Sequence, residues 1–162
     1  MALRTLTFLA LVHIFTAKIM VLDNLEDLRE LQQGFQKGAP AMGFQLDRGL
    51  IWSIICNSRH GMVPGKMDSR GEGWYPWGGR EWGCNGSQIV RAVQGRLVSW
   101  DQPLPGNCQA QGSQFDSGPY HAALIQSQHG LVPGKAKKSR NEAWYSWGGR
   151  EISVRSNYYF IC

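Results

Sequence analysis

The chain opens on an almost unbroken apolar run, Leu6 to Phe15, behind a single Arg4. A cationic start and a short apolar stretch predict a secretory signal peptide over 1–17, well below the ~20 residues of a membrane span. Ala17 suits the last position of such a signal. An uncleaved anchor reaching Leu22 is the alternative, because Phe15 is bulky where a small residue is preferred. Leu22, Leu25, Leu28 and Leu31 then stand three apart among acidic residues. That spacing predicts one short amphipathic helix within 18–37, packed on the domain or serving a small oligomerisation role. Beyond it the apolar runs shorten to strand length. Leu50–Cys56 and Tyr120–Gln126 each follow a turn, at Asp47-Arg48-Gly49 and at Asp116-Ser117-Gly118. Aromatic strands at Trp74–Trp77 and Trp144–Trp147 end in Gly-Gly turns. Alternation puts Trp74 and Pro76 on one side and Tyr75 and Trp77 on the other, so at least one aromatic of each strand belongs to the core. Ile89–Val93 and Ile152–Ile161 read as closing strands, and Leu97–Trp100 as a short strand inside a Gly- and Pro-rich connector.

These elements occur twice. His60-Gly-Met-Val-Pro-Gly-Lys66 returns as His129-Gly-Leu-Val-Pro-Gly-Lys135, and Trp74-Tyr-Pro-Trp-Gly-Gly-Arg-Glu81 as Trp144-Tyr-Ser-Trp-Gly-Gly-Arg-Glu151. Upstream, Ala41, Gly43, Gln45, Asp47 and Gly49 match Ala110, Gly112, Gln114, Asp116 and Gly118 without a gap. One insertion follows the second lysine. A fixed internal period sets the architecture. Two units are too few for a solenoid, so the expected fold is all-β: two antiparallel repeats, 38–93 and 108–162, related by a pseudo-twofold axis and joined by a connector at 94–107. Whether the repeats exchange strands is open. Proline beside glycine in Val-Pro-Gly-Lys predicts a tight turn there.

Composition adds three constraints. Twenty glycines, seven prolines and seven tryptophans suit short strands and turns rather than a helical bundle. Four cysteines, Cys56, Cys84, Cys108 and Cys162, follow the signal, which favours two disulfides out of three pairings. The local pairs Cys56–Cys84 and Cys108–Cys162 are preferred unless strands are exchanged. The cysteines fall outside the repeat (Cys56 aligns with Ile125), so they staple the fold and are not part of its repeated chemistry. No spacing of Cys and His suits zinc, His60 and His129 read as turn residues, and neither a metal nor a cofactor is expected. The formal net charge is +5, which suits anionic partners or simple solubility. No like-charged run exceeds Lys137-Lys138, which argues against a nucleic-acid partner.

The residues that repeat after turns are a lysine, an aromatic triplet and Arg-Glu. Flat aromatic faces can meet the C–H side of a sugar, while a lysine donates to and a carboxylate accepts from paired hydroxyls. Solvated hairpin charges would look the same in sequence. A hydrolase is poorly supported, since no Ser/His/Asp or Cys/His set recurs and Glu81 and Glu151 lack a second carboxylate at a defined spacing.

Taken together, the order Ala-x-Gly-x-x-x-Asp-x-Gly, apolar strand, Gly-x-Val-Pro-Gly-Lys, aromatic strand, Gly-Gly-Arg-Glu, given twice, resembles the DM-nine repeat family. The likeness covers residues 38 to 161, and Trp100 and Pro105-Gly106-Asn107 are similar to the segment that precedes a repeat in that family. The resemblance implies a β-rich fold of two intertwined repeats. It also implies a secreted, non-enzymatic, lectin-like protein that binds mannose or a related glycan at two equivalent sites, as invertebrate DM-nine lectins do in innate immunity. The family's sugar contacts carry over to Lys66, Glu81, Lys135 and Glu151. Gln45 and Gln114 stand where the family has an acid, with Asp47 and Asp116 two residues on, and Ile55 and Leu124 stand near the place of a family arginine. These departures loosen the expectation of mannose. The resemblance leaves open whether a pocket takes its lysine and glutamate from one repeat or from both. The competing reading is an interaction module that binds protein or anionic membrane surfaces through a basic, Trp-rich face, without stable membrane insertion. A homodimer is open in either case.

Overall fold

The computed structural model describes residues 36–162. The segments expected to be a signal peptide and a leucine-spaced helix lie outside the described residues. Thirteen strands follow one another: β1 Met42–Gln45, β2 Gly49–Ser58, β3 Gly61–Met67, β4 Gly73–Trp77, β5 Arg80–Gly83, β6 Ser87–Ile89, β7 Leu97–Ser99, β8 Gly112–Gln114, β9 Gly118–Ser127, β10 Gly130–Lys137, β11 Glu142–Trp147, β12 Arg150–Val154 and β13 Tyr158–Ile161. One 3-10 turn, Lys138–Arg140, lies between β10 and β11. The fold is all-β, as the short apolar runs and glycine-rich turns require.

The repeats match strand for strand, β1–β6 against β8–β13, and they are intertwined. β1 pairs with β2 of its own repeat and with β10 of the other. Correspondingly, β8 pairs with β9 and with β3. β5 meets β12 at a single register point, Arg80 opposite Arg150. Those two residues are repeat equivalents, so the pseudo-twofold axis passes between them. The ladder β1–β10–β11–β12–β5–β4–β3–β2 closes on itself as an eight-stranded barrel. Closure removes the open edges a sheet of this size would otherwise present.

Strands β3 and β10 show how this is done. β3 pairs along its whole length with β2. Its other edge pairs with β8 at Gly61 and Met62 and with β4 at Lys66 and Met67. Pro64 and Gly65 fill the gap where the strand changes partner. The sequence expectation of a tight turn at Pro-Gly is therefore corrected: both residues lie inside a strand, and so do Pro133 and Gly134. Proline is tolerated in a strand where it faces no ladder partner on that edge. Glycine is needed because a Cβ at Gly65 would lie 2.1 Å from the Trp74 carbonyl oxygen, and one at Gly134 equally close to that of Trp144. The tight turn comes earlier, at Ser58–Gly61 and Ser127–Gly130. There Gly61 and Gly130 take φ of 115°, a region closed to most L-residues.

Two closing strands also differ from expectation. β6 ends at Ile89, because β1 already occupies the edge of β2 up to Trp52. Residues 90–92 instead bond back to Ala39, Ala41 and Ser53. Ile152–Ile161 is broken into β12 and β13 by a turn in which Asn157 has φ of 58°. The short strand in the connector is present as β7.

Tyr75 and Tyr145 are buried, each in the core cluster of its own repeat, and a third cluster joins both repeats through Ile55, Leu124 and Leu131. Disulfides Cys56–Cys84 and Cys108–Cys162 form as preferred from the sequence, even though the strands are exchanged. The pairing survives because the exchange moves only β1 and β8, which carry no cysteine.

Candidate binding site

Strand pairing brings the eight candidate residues together as two clusters of four. In the first, Lys66 Nζ lies 3.3 Å from Glu81 Oε2 and donates to Gln45 Oε1 at 2.8 Å. Gln45 Nε2 in turn donates to Asp47 Oδ1 at 2.6 Å. In the second, Lys135 Nζ lies 3.2 Å from Glu151 Oε2 and donates to Gln114 Oε1, and Gln114 Nε2 donates to Asp116 Oδ1 at 3.2 Å. Each lysine thus takes its glutamate from its own repeat. The opposite repeat supplies a third acceptor: the Ser146 carbonyl for Lys66 and the Pro76 carbonyl, at 2.8 Å, for Lys135. Each ammonium thus has two hydrogen bonds and one carboxylate at ion-pair distance within the protein.

The lysines are not the surface residues their place in the sequence suggested. Lys66 is 1% exposed and Lys135 3%, because they sit within strands and point inward. Burial pushes both amines below their ordinary value, opposed by the charge and hydrogen bond of Glu81 or Glu151. A buried charge keeps its place only when paired and hydrogen-bonded, and this cradle meets that condition. Its outer end is exposed. Asp47 and Asp116 stand in solvent on the turns after β1 and β8. Burial of part of the Asp116 carboxyl would raise its pKa, but hydrogen bonds from Ser117, Gln114 and the Trp77 side chain hold it below the usual carboxylate range.

Residues that sequence reasoning assigned to turns or passed over complete each site from the other repeat. The His60 ring stacks on Trp77 at 3.7 Å and shares a hydrogen bond with Tyr75 Oη at 2.8 Å. His129 stacks on Trp147 at 3.8 Å and meets Tyr145 Oη at 3.0 Å. The carbonyl of His60 accepts from Phe115 N–H at 3.0 Å, and that of His129 from Leu46 N–H at 2.9 Å. Each histidine turn therefore docks against the aspartate turn of the other repeat. Burial lowers the pKa of both histidines. The glutamates cross the axis too: Gly149 N–H donates to Glu81 Oε1 at 3.3 Å and Gly79 N–H to Glu151 Oε1 at 3.2 Å. Recurrence of the histidine with the lysine and glutamate was the available sequence signal.

Beside each aspartate lies an exposed apolar residue, Leu46 at 48% and Phe115 at 81%. The first site also borders an open depression lined by Asp47, Arg48, Asp68, Ser69 and Arg70. Chemically, each site offers a fixed carboxylate acceptor next to an apolar surface, supported by a buried polar chain. Among the described residues, no group of three His, Cys, Asp or Glu side chains could hold a metal ion. No protein-family model matches the chain, and no curated protein matches it.

Proposed function

We propose that the protein is a secreted, non-enzymatic glycan-binding protein with two related sites, a DM-nine-like lectin in its chemistry. One observation carries this reading. The same chain of groups, glutamate to lysine to glutamine to exposed aspartate, is built twice and delivers a held carboxylate to the surface beside an apolar side chain. A carboxylate accepting from paired hydroxyls, with an apolar face against the sugar's C–H side, is what a neutral pyranose needs. In this reading the aspartates and Phe115 or Leu46 touch the sugar. The lysines, glutamates and glutamines fix the aspartate's position. Two disulfides suit an extracellular setting.

The test is Asp47→Asn with Asp116→Asn, screened on a neutral-glycan array and titrated with mannose oligosaccharides. Each substitution should weaken its site by about 1–3 kcal/mol, one to two decades of affinity. Phe115→Ala should cost the second site more than Leu46→Ala costs the first, since an aromatic face presents the larger contact. Unchanged binding in the folded double aspartate variant would reduce these carboxylates to solvated turn residues.

A further inference from the structure

The two repeats carry opposite charge designs at one equivalent place. In the first, Arg48 on the β1–β2 turn reaches Asp68 at the end of β3, 3.2 Å away, and Arg70 approaches the same carboxylate at 3.6 Å. With Glu72 on the same turn, two cations face two acids. In the second, Ser117 stands for Arg48 and Lys137 for Asp68, and the contact runs the other way, from Lys137 Nζ to the Ser117 carbonyl. The single insertion of the repeat adds Lys138, whose Nζ rests on the carbonyls of Trp100 and Gln102 at 2.8 and 2.6 Å. Across β11, Arg140 and Arg155 both approach Glu142, at 3.6 and 3.9 Å. Lys137 is the register partner of Glu142. Arg140 and Arg155 thus share one carboxylate, with Lys137 at the end of β10 and Lys138 at the start of the 3-10 turn beside them in the chain. The arginine side chains are 55% and 74% exposed, while Glu142 is buried.

We propose that this face of the second repeat binds a sulfated polysaccharide, separately from the neutral-sugar sites. Four cations stand against a single acid, Glu142, and the lysines are held in place by backbone carbonyls, so the surplus positive charge is available to a row of anionic groups. The exposed neighbours Ser139, Asn141, Ser153, Ser156 and Asn157 offer hydroxyls and amides to sugar oxygens. The exposed residues flanking Arg140 and Arg155 in sequence are polar, which favours a polysaccharide over a membrane.

The experiment compares binding of heparin, its desulfated form and phosphatidylserine vesicles to the full mature chain. The variants are Arg140→Gln with Arg155→Gln, and Arg70→Gln as the equivalent change in the first repeat. The expected result is heparin binding that weakens with salt and falls about tenfold in the double variant, a shift of ~1.4 kcal/mol. Arg70→Gln should leave it unchanged, and mannose-oligosaccharide binding should be the same in the natural protein and the double variant. Equal loss with Arg70→Gln, equal affinity for desulfated heparin, or tighter binding to vesicles would overturn the proposal. Loss of heparin binding alone leaves the neutral-glycan reading standing, and loss of neutral-glycan binding alone leaves this one.

Discussion

The interiors of the two repeats are nearly copies, while their rims have diverged. Inside, Lys66 and Lys135 each meet a glutamate, a glutamine and a carbonyl of the opposite repeat in the same geometry. Outside, Arg48 with Asp68 has become Ser117 with Lys137, and Leu46 has become Phe115. The difference follows from burial. A charge shut away from water keeps its place only with every partner present, so one replacement leaves the rest unsatisfied. An exposed charge is solvated with or without its partner, and surface pairs contribute little, about 0–1 kcal/mol. The rim can therefore change function at small cost, and the interior cannot.

The largest effects should come from breaking the interior. Lys66→Met or Lys135→Met removes one charge and strands a glutamate and a glutamine, at a cost of about 3–5 kcal/mol each. Urea denaturation should give nearly equal losses, and a gap beyond ~1 kcal/mol would show that the sites are not energetic equivalents. Next come the staples. Cys56→Ser/Cys84→Ser and Cys108→Ser/Cys162→Ser should each lose about 3–4 kcal/mol. The second pair spans 54 residues against 28, which adds about 0.6 kcal/mol on loop closure alone.

A smaller effect concerns the histidines. Burial lowers both native values below the ordinary 6.5, so between that value and the native ones the unfolded chain binds more protons than the folded one. Their contribution to stability is complete above about pH 6.5 and is lost as pH falls through the native values. Thermal melts from pH 7 to pH 5 should show a falling Tm, with a shallower slope in His60→Gln/His129→Gln. Smallest is Ser53→Ala. Ser53 Oγ is buried without a hydrogen-bond partner, and its equivalent in the second repeat is Ala122. The substitution should be neutral or stabilising by up to about 1 kcal/mol. A loss of stability would reveal an asymmetry inside the barrel.

The strands, the twofold and both disulfides were legible in the sequence because each rests on a local or repeated signal: alternation at Trp74–Trp77, the doubled motif, the even cysteine count. The inward direction of Lys66 and Lys135 was not. Pro-Gly-Lys has the composition of a turn, and only the change of strand partner at Pro64 and Pro133 makes a strand of it. The histidine–tryptophan stacks were hidden for a similar reason. His60 and Trp77 belong to one repeat, yet they complete the site of the other, and no sequence spacing encodes a contact across the axis. The charge reversal from Asp68 to Lys137 was visible as letters, but its partners Arg48 and Ser117 lie on a distant turn.

The meeting of Arg80 with Arg150 has a historical consequence. A chain holding only the first repeat would have β3 without β8 and β1 without β10, with both edges open. Such a chain could close this barrel only by joining a second copy of itself, its own arginine facing the copy's across a true twofold. The present protein has the architecture that duplication and fusion of such a self-associating ancestor would leave. Fusion makes association independent of concentration. It also frees the two halves to differ, and the rim of the second repeat shows where that freedom was used.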